Sequence, residues 1–173
     1  GGNRVAAPAE YGADRPFAGG PAAGQRLERD VLSLSGVAAV IWLEGINDLS
    51  SGAEVNTVTA AMREIVARMR ARVPGIRVTG ATLTSAVGNP GNAGKPEVDA
   101  RRRDLNQWIR GSGVFLAVAD FDRATLDPGS GGLRAEFVPD SSLGGAGDHL
   151  HPNRAGYLAM AGAVDLETVV AVR

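Results

Sequence analysis

Asp148 and His151 stand three residues apart in the stretch Gly147-Asp148-His149-Leu150-His151-Pro152, which contains both histidines of the chain. A carboxylate at that spacing from an imidazole is a compact way to build a general base. The aspartate holds the ring in one tautomer and stabilises its cation, while the other ring nitrogen takes a proton. A metal site of Asp148, His149 and His151 is the competing use of the same residues. The sequence offers no other histidine and no cysteine to complete one. His149 itself reads as a pocket-wall or solvent-facing residue.

A base needs elements that bring other groups to it. Val37 to Leu43 is a continuous apolar run, as expected of a strand buried on both faces of a parallel sheet. Glu44-Gly45-Ile46-Asn47-Asp48 follows at its carboxyl end. Ser51-Gly52-Ala53-Glu54 has the form of a capping box. The helix behind it is expected to run to Val73, with Val55, Val58, Met62, Ile65, Val66, Met69 and Val73 on one face. Ile76 to Leu83 is the next strand and residues 84–94 are a polar loop. A helix from Pro96 to Gly111 buries Val98, Leu105, Trp108 and Ile109, and leaves Arg101-Arg102-Arg103 as a solvated face. Val114 to Val118 is a third strand.

The ends of the chain are less regular. Residues 1–20 are broken by glycine and proline, and Pro21 opens a helix running to about Leu34. Residues 125–147 form a long irregular stretch, too long for a plain connector and expected to be part of a site wall. A last helix covers about Asn153 to Val164 and continues toward the C-terminus. Strands alternating with helices indicate a parallel α/β sheet covered on both faces. In such sheets the site lies at the carboxyl ends of the strands. Asn47, the 84–94 loop and the 148–151 stretch all fall on that side.

Composition removes several function classes. The 173 residues carry a net charge of -1 and no basic stripe interleaved with aromatics, which argues against a nucleic-acid partner. No apolar run approaches the ~20 residues of a membrane span. The absence of cysteine excludes disulfides, zinc thiolates and a cysteine nucleophile.

Gly45 to Asp48 (Gly-x-Asn-Asp) and Asp148 to Pro152 (Asp-x-x-His-Pro) together resemble two of the sequence blocks of the GDSL, or SGNH, family of serine esterases and lipases. Gly2-Asn3-Arg4-Val5 is similar to the tail of an earlier block, an Ile-Gly-Gly-Asn turn. Gly80 to Thr84, Asn106 to Arg110 and Pro152 to Tyr157 extend the likeness along the chain. The resemblance implies a three-layer α/β/α sandwich with a flavodoxin-like parallel sheet. It gives His151 the role of general base and Asp148 that of its orienting partner. The Asn47 amide and the Gly2 backbone N–H become oxyanion-hole donors. An amide keeps its N–H without titrating, and glycine lets the backbone approach a substrate closely. The implied substrate is a small-molecule ester, with no cofactor and no metal.

One departure is large. The family's nucleophile is the serine of a Gly-Asp-Ser block on the first strand, and neither Gly-Asp-Ser nor Gly-x-Ser-x-Gly occurs here. Ser50, Ser85, Ser112, Ser130, Ser141 and Ser142 are present, but none is placed by the sequence at a strand-to-helix turn. Residues 1–173 therefore read as one hydrolase domain lacking the segment that carries the serine. The strand at Val37–Leu43 is then expected to expose an apolar edge where a missing N-terminal segment or chain would pair. On this reading the 173 residues alone are inactive. Two alternatives stay open: one half of a split enzyme, and a non-catalytic module that keeps the pocket to bind.

Overall fold

The structure, a computed structural model, describes residues 2–7 and 19–170. The turn-rich reading of residues 1–20 falls largely outside them. Three parallel strands, β1 (Ala39–Trp42), β2 (Arg77–Ala81) and β3 (Ala117–Ala119), lie in the order β1-β2-β3. Trp42 is in register with Gly80, and Gly80 with Val118. Seven helices accompany them among the described residues: α1 (Ala23–Leu27), α2 (Ile46–Ser50), α3 (Val55–Arg72), α4 (Pro96–Gly111), α5 (Phe121–Thr125), α6 (Arg154–Gly162) and α7 (Leu166–Val169).

The β1–β2 connection runs through α2 and α3, and the β2–β3 connection through α4. Both long helices face the same side of the sheet. Val58, Met62, Ile65, Val66 and Met69 of α3 join Val98, Leu105 and Ile109 of α4 in one core with Trp42 and Val78. The helical repeat dictates this, because residues three and four apart share a face. α5 and α6 cover the opposite side, where Ala81, Ala119, Phe121 and Met160 form a smaller core. The result is the α/β/α arrangement expected of the SGNH hydrolase fold.

α4 spans the expected residues. Pro96 opens it, where an N–H has no helical partner in any case, and Glu97 and Asp99 complement the dipole in its first turn. Four expectations need correction. The Ser51–Glu54 capping box does not form: Ser51 ends α2 and donates its hydroxyl to the Asn47 carbonyl, while Glu54 precedes α3 without a side-chain cap. The preceding helix end claims the serine first. The helix after Pro21 opens at Ala23 and loosens into a wider turn over Glu28–Leu32. The third strand covers Ala117–Ala119 rather than Val114–Val118, and α5 follows over residues for which the sequence suggests no element, with Asp120 accepting from the Arg123 N–H at its start. Arg102 is 2% exposed, far from a solvated position.

β1 pairs with β2 on one side only among the described residues. Ile41 is 43% and Leu43 41% exposed, so the strand does present the apolar edge anticipated above. No described helix is long and apolar enough to cross a membrane.

Candidate active site

His151 lies at the mouth of a cleft of about 190 Å³ formed where β1 and β2 end. Leu43 to Asn47 make one wall, Leu83 and Thr84 a second, and Leu150 to Pro152 with Tyr157 and Met160 of α6 the third. Each wall begins where a strand or helix must stop or start. Gly45 turns the chain from β1 into α2 with φ of 131°, which only glycine adopts freely. A Cβ there would also press on Leu105 at 3.0 Å.

The Asp148 carboxylate is fully engaged. Its Oδ2 lies 2.7 Å from His151 Nδ1, and its Oδ1 accepts the backbone N–H groups of His151 at 2.8 Å and Leu150 at 3.0 Å. Burial pushes this carboxyl up. The His151 backbone N–H, the His151 ring and the Leu150 N–H outweigh burial and hold it below the ordinary aspartate range. An ionised carboxylate only accepts, so the proton of the short contact belongs to Nδ1 and leaves Nε2 as a free acceptor. A general base requires that tautomer.

Asn47 shares the cleft with His151. Its Nδ2 donates to the Asn3 carbonyl at 3.0 Å, which uses one of its two N–H bonds and leaves the other. Its neighbour Asp48, 1% exposed, accepts the backbone N–H groups of Val5 and Ala6. Together the two residues tie the segment from Asn3 to Ala6 to the start of α2. Asn3 is held again by Arg26, which donates to its Oδ1 and also pairs with Glu44 at 3.0 Å. Burial raises the Glu44 carboxyl, against the pull of Arg26. Gly2 packs against Gly19, is exposed, and does not line the cleft. The sequence-predicted residues Asp148, His151 and Asn47 thus converge, while Gly2 stands outside.

No serine lines the cleft among the described residues; its hydroxyls are those of Thr84 and Tyr157. Ser50 donates to the Ile46 carbonyl, Ser85 is buried and donates to the Gly131 carbonyl, and Ser130 donates to Asp127. Ser112 caps the end of α4, Ser141 is buried and Ser142 lies in an exposed turn. Residues 125–147 do not line the cleft either. The expectation that they form part of a site wall is not met; they are tied instead to the start of α6, where Asn153 donates to the Glu136 and Pro139 carbonyls.

Sequence reasoning missed the residues that hold the second wall. Asn106 accepts the Leu83 N–H at 2.7 Å and returns a bond to the Leu83 carbonyl at 2.8 Å. Arg102 donates to that carbonyl too and pairs with Asp99 and Asp122. The signal was available: Arg102 stands four residues after Val98 and three before Leu105, on the apolar face of α4. No described group of three or more His, Asp or Glu residues is placed to hold a metal ion.

Residues 1–159 match the GDSL-like Lipase/Acylhydrolase family. The chain belongs to that family. Among solved structures it is similar to a GDSL-like lipase from Bacteroides thetaiotaomicron VPI-5482, with a TM-score of 0.68, 16% identity, and coverage of 83% of this chain and 67% of that one. It is similar to a carbohydrate esterase family 3 protein from Talaromyces cellulolyticus, with a TM-score of 0.56, 19% identity and coverage of 86% and 68%. A mutant acetyl-xylooligosaccharide esterase from Geobacillus Stearmophilus gives a TM-score of 0.57, 19% identity and coverage of 87% and 68%. The chain spans about two thirds of the length of these proteins. At such identities the likeness is one of fold. No curated protein sequence matches it.

Proposed function

We propose that the chain is the base-bearing part of a GDSL-type carboxylic ester hydrolase acting on small acyl esters. The observation that carries this reading is the 2.7 Å Asp148–His151 bond at the mouth of a cleft that also holds Asn47. Membership of the family, and a fold shared with proteins described as esterases and lipases, support a hydrolase function.

In the proposed reaction His151 Nε2 takes the proton of a serine hydroxyl as its oxygen attacks the ester carbonyl carbon. The carbonyl oxygen becomes an oxyanion, to which the free Asn47 N–H and the Gly2 backbone N–H are assigned as donors. The Gly2 assignment rests on the family resemblance alone, since Gly2 lies outside the cleft and the adjoining residues Asn3 to Ala6 are held by Asn47, Asp48 and Arg26. Collapse of the intermediate expels the alcohol, which takes the proton back from His151. Water then attacks the acyl-serine with His151 again as base, and the acid leaves.

The serine is assigned to a segment outside these 173 residues, seated as a parallel strand along β1. The support is physical. Among the described residues β1 has a free edge, and a groove of about 230 Å³ runs beside it between Leu27 and Val31 on one side and Val40, Ile41 and Trp42 on the other. Leu43 and Glu44 border both this groove and the catalytic cleft. The Trp42 indole N–H is buried without an acceptor among the described residues. A test is to join a Gly-Asp-Ser segment to the chain, either as a fusion or as an added polypeptide. Hydrolysis of p-nitrophenyl acetate is expected only for the joined protein, and its loss on His151→Ala confirms the role of the base.

A further inference from the structure

The Asp148–His151 pair sits on a stretch with little regular structure, between residues 125–147 and the first turn of α6. Something must hold Asp148 still. Two contacts from the loop after β2 reach this stretch, one at Asp148 and one at His149. Asn89 Nδ2 donates to the Asp148 backbone carbonyl at 2.6 Å. Its Oδ1 accepts the Gly91 N–H at 2.8 Å, which fixes the amide so that its NH₂ points at Asp148. The neighbouring Gly88, with φ of 94°, lies under the His149 ring; a Cβ at Gly88 would meet that ring at 3.1 Å.

His149 pays for this seat. Its φ is 57°, a left-handed conformation uncommon outside glycine, although histidine enters it more readily than most side chains. That conformation sits between Asp148 and the Leu150 and His151 N–H groups that fold back onto the Asp148 carboxylate. The Asn89 bond meets the backbone just before this turn, and the ring of His149, an exposed residue, lies against Gly88.

We propose that Asn89 and His149 are positioning residues that latch the Asp148–His151 pair to the 84–94 loop. Neither touches the substrate cleft. They act through Asp148, by restricting where its carboxylate meets the His151 ring. This rests on the reading of Asp148 and His151 as the catalytic pair. The test needs no turnover, so its failure and the failure of that reading are separate results.

The experiment is NMR on the 173-residue chain with ¹⁵N-labelled histidine. The chain has two histidines, so His149→Gly leaves the His151 ring as the sole imidazole signal. Glycine adopts φ of 57° without strain, so this variant retains the turn while losing the ring contact. Asn89→Ser keeps a hydroxyl that can accept the Gly91 N–H but is too short to reach Asp148. In the parent protein the His151 Nδ1 proton is expected as a downfield, exchange-protected resonance. In each variant that protection is expected to fall by about tenfold or more, while the dispersion of the backbone amides is retained. If both variants fold and keep the parent resonance and protection, the latch is overturned. Loss in only one variant overturns its two-part form. If Asn89→Ser does not fold, His149→Gly decides alone. A residue that merely stabilised the fold would lower the melting temperature without selectively exposing this one proton.

Discussion

The Asp148 carboxylate grips His151 twice, at the ring through Nδ1 at 2.7 Å and at the backbone N–H at 2.8 Å. A single side chain thus fixes both the position of the residue and the tautomer of its ring. The two oxygens divide the work. Oδ1 closes the turn through two backbone N–H groups, and Oδ2 alone addresses the imidazole.

That division separates stability from chemistry. Asp148→Ala leaves two backbone donors without their acceptor and is expected to cost about 1–3 kcal/mol, measured by chemical denaturation. In the serine-complemented enzyme, Asp148→Asn is expected to lower kcat by about 10³–10⁴-fold, because an amide cannot specify the Nδ1–H tautomer. A drop of less than tenfold would contradict the orienting role.

Asp148 also sets a pH dependence. Its folded-state carboxyl lies below the unfolded aspartate value of about 3.9. Its stabilising contribution is therefore complete above that value and is lost as pH falls through the lower, folded value. Melting temperatures of the parent chain and Asp148→Asn, measured between about pH 2 and 6, should converge at the acid end and diverge above about pH 4.

Asn47 is expected to act on the transition state. Asn47→Ala in the complemented enzyme should lower kcat by about 10²–10³-fold with little change in KM. The Asn3 carbonyl loses a partner in the same variant, so a small loss of melting temperature is expected alongside.

Arg102 is a prediction about stability alone. It is 2% exposed and donates to Asp99, Asp122 and the Leu83 carbonyl. Arg102→Ala would remove the buried cation between Asp99 and Asp122, leaving them only Arg103 and Arg110 at their outer oxygens, and is expected to cost about 3–5 kcal/mol. Arg103, four residues from Asp99 on the exposed face of α4, should tolerate alanine within about 0.5 kcal/mol. Urea midpoints of the two variants give the comparison.

What could be read from the residues alone follows from the range of the interactions. α3 and α4 were legible because the spacing of Val58, Met62, Ile65 and Met69, and of Val98, Leu105 and Ile109, is a local property. The Asp148–His151 pair was legible for the same reason, with its partners three residues apart. Asp48 holding Val5 and Ala6 bridges 43 and 42 residues of chain, Asn89 holding Asp148 bridges 59, and no local pattern encodes them. α5 is too short, at five residues, for periodicity to mark it. Arg102 was misread because three consecutive arginines look like a solvated face, although the helical repeat turns the middle one inward.

His151, oriented by Asp148, is proposed as the base of an ester hydrolase whose serine is supplied by a further segment. That role is tested by p-nitrophenyl acetate hydrolysis with the chain alone and with a Gly-Asp-Ser segment joined to it. Neither burst nor turnover is expected from the chain alone. Turnover is expected from the joined protein, with a loss of about a millionfold on His151→Ala. A burst from the 173 residues by themselves, abolished by Ser→Ala at one of their own serines, would contradict it.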